Sequence, residues 1–194
     1  MVPMRHLSSA TRWLLVSAAV AATVVGLAIA VPTSAHAEDS HVQYTWDQDV
    51  VTVRSTVPGA WGVRAAVRGW NVQRADGQPK LVVDNEVADP DVVIATVQEP
   101  GEWWTGLAEG TVEDGSLATF DISLNVARIN HPEYRYEGSL QAAKYWTTSH
   151  ELGHALGLEH AQDVKQSVMS YANPWWKTDG RPAKFDFGSL ADIY

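Results

Sequence analysis

The stretch His150-Glu151-Leu152-Gly153-His154-Ala155-Leu156-Gly157-Leu158-Glu159-His160 decides how the rest of this chain is read. Residues four apart on a helix lie on one face about a turn from each other, so His150 and His154 aim two imidazoles at one point. Glu151 stands next to them, close enough to act and not placed to be a ligand. Gly157, three residues after His154, suits a left-handed conformation that ends the helix and turns the chain back. That reversal delivers His160 as a third imidazole. Three neutral imidazoles leave one position of a tetrahedral zinc ion open, which is the layout of a catalytic rather than a structural site. A zinc ion lowers the pKa of water from 15.7 to about 7, and Glu151 is placed to take the proton as the water attacks a carbonyl. The competing reading, an amphipathic helix whose histidines merely pack or cap, needs three histidines and a glutamate to converge by accident.

Working outward to the N-terminal side, Trp13 to Val31 is apolar or small, preceded by Arg5, His6 and Arg12 and followed by Ala35-His36-Ala37 ahead of Glu38-Asp39. This predicts a secretory signal peptide over 1–37 cleaved after Ala37, with an uncleaved membrane anchor as the alternative. The mature chain, 38–194, then forms one catalytic domain, secreted and with no stable membrane association. The chain carries 23 acidic side chains against 14 basic ones and a net charge of −9, and loss of Arg5 and Arg12 with the leader makes it more negative. Nucleic-acid binding is disfavoured by that balance. No cysteine is present. Stability is therefore expected from packing and bound metal rather than from disulfides.

Periodicity supplies the other elements. Val51-Thr52-Val53 marks a first strand, and Val63, Ala66, Val67 and Trp70 fall at helical spacing with Trp70 as a core residue. Lys80–Val83 and Asp91–Val97 read as further strands, the latter apolar enough to be central. A strand over Thr105–Val112 and another over Leu117–Leu124 flank the turn Glu113-Asp114-Gly115-Ser116 and make a hairpin. In that last strand Ala118, Phe120, Ile122 and Leu124 alternate against Leu117, Thr119, Asp121 and Ser123. Ser139 is a candidate N-cap for a buried helix over Leu140–Leu156, and Asp186 for a final helix over Phe187–Tyr194.

The His-Glu-x-x-His-x-x-Gly-x-x-His run, together with Met169 in Ser167-Val168-Met169-Ser170-Tyr171, resembles the metzincin clan of zinc metalloproteases. The order of elements over 38–194 is similar to its compact matrixin-like members. The resemblance implies an α+β zincin catalytic domain: a twisted, mostly parallel five-stranded mixed sheet, an active-site helix, and a small C-terminal subdomain after Gly157. It implies a secreted zinc endopeptidase with one catalytic Zn2+ on His150, His154 and His160, Glu151 as general base, and Met169 as the floor beneath the ion. Its partner is a protein or peptide held extended along the hairpin strand Thr105–Val112, and the enzyme is a monomer. Tyr171 departs from the matrixin pattern and is similar to the astacin and serralysin form, which implies that its phenol aids the oxyanion. The alternative for Tyr171 is a wall of the side-chain pocket. The histidines of a matrixin structural zinc and the cysteine of its latent form are missing. The acids Asp84, Glu86, Asp89 and Asp91 are a candidate Ca2+ site, set against a solvated loop, and no EF-hand pattern supports it. A catalytically silent zinc-fold binding protein, or an exopeptidase of the same fold, is the alternative function. Glu151 beside intact ligands weighs against the silent binder.

Overall fold

A computed structural model describes residues 44–132, 139–162, 164–170 and 179–194. The expected leader over 1–37 and Tyr171 lie outside them. Strand β1 (Val50–Ser55) is followed by a single 3-10 turn at Gly59–Trp61 and helix α1 (Val63–Asn71). Then come β2 (Lys80–Val83), β3 (Val92–Val97), β4 (Gly106–Glu113) and β5 (Ser116–Asn125). A short helix α2 (Val126–Ile129), the long helix α3 (Leu140–Ala155) and α4 (Lys184–Ile193) complete the order. This is an α+β arrangement with one five-stranded mixed sheet, in the order β2-β1-β3-β5-β4.

The strands β2, β1, β3 and β5 run parallel, and β4 runs antiparallel to β5 at the sheet edge. The apolar run that marked β3 as central is explained by its neighbours on both sides, β1 and β5. Val51, Val53, Val92, Ile94, Ile122 and Leu124 are fully buried between the sheet and the helices. Each such side chain removed from water contributes roughly 1.5–3 kcal/mol before entropy is counted. The hairpin departs from simple alternation at one point. A register shift between Thr111 and Val112 places Leu117 opposite Val112 and Thr119 opposite Thr111. Leu117 is thereby turned inward and buried on the side of Phe120 and Ile122, and not on the polar side with Thr119.

Helix α1 buries the four residues its spacing selected, Val63, Ala66, Val67 and Trp70. Trp70 joins it to α3 by donating from Nε1 to Ser149 O at 2.9 Å, and meets Phe187 of α4 edge-on at 6.0 Å. Thr148 donates to Trp61 O at 3.0 Å, seating α3 on the 3-10 turn. Asn125, fully buried, accepts from Glu99 N and donates to Glu99 O and Trp104 O, which ties down the loop that leads into β4. No helix among the described residues is long and apolar enough to cross a membrane.

The acids proposed for Ca2+ do not gather. Asp84, Glu86 and Asp89 are exposed, and Asp84 Oδ1 accepts from Glu86 N. Asp91 Oδ2 is taken up by Thr52 N at 2.6 Å and Thr52 Oγ1 at 2.7 Å, fastening the start of β3 to β1. Burial pushes the Asp91 carboxyl up, but hydrogen bonds from Thr52 and Gln48 outweigh it and hold the pKa below the usual range.

Candidate metal centre

The site begins with the end of α3. Ser139 Oγ accepts from Ala142 N to start the helix, and from Thr147 to Ala155 every residue is buried. At the far end Gly157 has φ +93°, its N–H donates to His154 O, and Leu158 N donates to Gly153 O. This pair of bonds is a Schellman termination, and a Cβ at Gly157 would lie 2.6 Å from Tyr44 O. The next two carbonyls also find donors. Trp46 Nε1 reaches Ala155 O at 2.6 Å and Tyr194 Oη reaches Leu156 O at 3.1 Å. The helix thus ends with its carbonyls satisfied and its geometry fixed.

That fixed end presents His150 and His154, and the reversal at Gly157 brings His160 back to them. The three Nε2 atoms lie 3.0 Å (His150 to His160), 3.2 Å (His154 to His150) and 3.2 Å (His154 to His160) apart. His150 Nδ1 donates to Val168 O at 2.8 Å, and His154 Nδ1 donates to Leu158 O at 2.7 Å. A carbonyl can only accept, so the proton of each ring sits on Nδ1 and Nε2 keeps its lone pair. Burial, reinforced by the neighbouring imidazoles, lowers the pKa of each of the three rings to about 3. They are neutral near pH 7. Lone pairs on neutral nitrogens this close repel unless a cation lies among them. An ion bound 2.0–2.1 Å from tetrahedral nitrogens sets them about 3.3 Å apart, near the observed spacing. The donor set fits a metal ion, and the histidines form the one such convergent group among the described residues.

Glu151 is buried beside them, and burial raises its pKa to about 8. Gly106, the first residue of β4, makes room for it: a Cβ there would fall inside the Glu151 side chain. A cation on the imidazoles would favour the carboxylate form. Gly153 leaves the space that Met169 Sδ fills, and Met169 is buried. Glu159 and His131 are exposed.

The last helix carries a finding that corrects its sequence reading. Asp186 is not its N-cap, since α4 begins at Lys184 with Ala183 in the capping position. Asp186 is one turn in and almost fully buried. Its Oδ2 accepts from Ala183 N at 2.6 Å and from Val168 N at 3.1 Å, while Oδ1 accepts from Ser167 Oγ. Ser167 Oγ in turn accepts from Met169 N at 2.9 Å. The turn that offers Val168 O to His150 is therefore held by a carboxylate of α4. Nothing local in the sequence signals this, nor the roles of Gly106, Trp46 and Tyr194, because each acts on residues far away in the chain.

No protein-family model matches the chain, and a search of curated proteins finds no match to it. The mixed five-stranded sheet with three convergent imidazoles and a neighbouring glutamate is compatible with a zincin.

Proposed function

We propose that this chain is an exported zinc-dependent endopeptidase of the metzincin type, matrixin-like in its compact order of elements and with an astacin- or serralysin-type tyrosine at Tyr171. The observation that carries the reading is the convergence of His150, His154 and His160 Nε2 beside a buried Glu151, next to an antiparallel edge strand.

In this reading the three imidazoles hold Zn2+ through Nε2. When bound, the ion supplies Lewis-acid polarisation of a carbonyl and lowers the pKa of water. Glu151 accepts a proton from the water that adds to the scissile carbonyl. It delivers that proton to the amide nitrogen as the C–N bond breaks. With a cation on the imidazoles, the Glu151 carboxyl would ionise against the pull of burial. The edge strand β4 offers main-chain groups to an extended substrate, which adds as a further strand. Tyr171 donates a hydrogen bond to the developing oxyanion, and Met169 packs under the imidazoles without chemistry. The leader over 1–37 directs export.

The test is cleavage of casein or a quenched peptide with and without a chelator, alongside zinc content and activity of Glu151→Gln. Chelation should abolish cleavage and zinc should restore it. Glu151→Gln should keep about one zinc per chain and lose activity by about a thousandfold. Chelator-insensitive cleavage, or full activity in the variant, would overturn the proposal. A folded, zinc-loaded wild type that cleaves nothing would favour a binding role.

A further inference from the structure

Trp146 stands four residues before His150 on α3, one turn earlier and on the same face. Its indole lies over the His150 imidazole, with ring centroids 4.9 Å apart and planes inclined by 26°. His154 meets the same imidazole edge-on, at 83°. The His150 ring is thus held along one edge by Val168 O and covered by an aromatic face. Trp146 Nε1 is sealed from solvent with no hydrogen-bond partner among the described residues. A buried donor without an acceptor is unfavourable, and a leucine or methionine at this position would avoid that penalty. What the indole supplies in return is its π face. An imidazole bound to a dication through Nε2 takes on positive charge, and an aromatic face stacked on it attracts that charge.

We infer that Trp146 is a positioning residue for His150: the stacked indole fixes the plane of that imidazole and tightens cation binding at the three-histidine centre. The inference rests on the reading of that centre as a metal site. It assigns the indole no contact with substrate.

The experiment is equilibrium competition for Zn2+ between the protein and a chromophoric chelator, for wild type, Trp146→Phe and Trp146→Leu. Trp146→Leu should raise the zinc Kd about three- to tenfold, and Trp146→Phe, which keeps an aromatic face, should stay within about twofold of wild type. The thermal midpoints of the metal-free variants separate a loss of affinity from a loss of fold. A second measurement needs no variant. In wild type, the ring protons of His150 should resonate upfield of those of His154 because the indole lies over them. A zinc-binding wild type whose affinity is unchanged in a folded Trp146→Leu, or a His150 without the upfield shift, overturns this inference and leaves the metal centre standing. A wild type that takes up no zinc overturns both.

Discussion

The two ends of helix α3 are built differently. At its start, one local hydrogen bond from Ala142 N to Ser139 Oγ caps the helix, and Leu140, Ala142, Tyr145 and Trp146 remain only partly buried. At its end, the reversal at Gly157 and the side chains of Trp46 and Tyr194, both remote in sequence, satisfy the final carbonyls. Every residue from Thr147 to Leu156 is buried there. The start needs only to begin a helix, whereas the end must fix three imidazole nitrogens 3.0–3.2 Å apart. Long-range contacts are concentrated where that precision is required.

The largest effect expected from this contrast is in acid. In the metal-free protein the three imidazoles have pKa values of about 3, against 6.5 for an ordinary histidine. As pH falls below 6.5 the unfolded chain takes up these protons first, so stability drops continuously toward pH 3. Glu151 acts in the opposite sense. Its pKa is about 8 when folded against 4.5 ordinarily, so its contribution is full below pH 4.5 and is lost as pH rises to 8. Denaturant melts of the metal-free protein should show maximum stability near pH 6.5, with a steeper fall on the acid side than on the basic side. A flat profile between pH 4 and 7 would remove the buried, neutral histidines from the picture.

Next is Gly157→Ala, which forces a side chain into a left-handed conformation and against Tyr44 O. It should cost about 3 kcal/mol in chemical denaturation and reduce metal uptake, because the helix termination and the approach of His160 fail together. Trp46→Phe keeps most of the buried ring and strands Ala155 O without its donor, for a loss of about 2 kcal/mol. Ser139→Ala should be mildest, about 1 kcal/mol with metal affinity unchanged. Should Ser139→Ala weaken metal binding more than Trp46→Phe, the contrast between the two ends would be reversed.

The same contrast explains what could be read from the chain in advance. The α1 face, the central β3, the Ser139 cap and the meeting of three imidazoles were legible because each depends on spacings of a few residues. Trp146 falls four residues before His150 on the helix expected to be buried, but its stacking on the imidazole shows only in the folded chain. Leu117 was placed on the wrong side because a bulge across the hairpin resets alternation, and period alone carries no mark of it. Gly106, Trp46 and Asp186 were not legible. A glycine entering a strand, a tryptophan ahead of one and an acid in a helix's first turn each have ordinary local explanations, and their partners are settled only when the chain is folded.

The position of Asp186 has one more consequence. Because its carboxylate grips both the beginning of α4 and the turn that orients His150, the last helix belongs to the foundation of the site and is not an appendage to the sheet. A chain cut after Ala183 would keep all three histidines and the glutamate and would lose the fastening that aims the first of them.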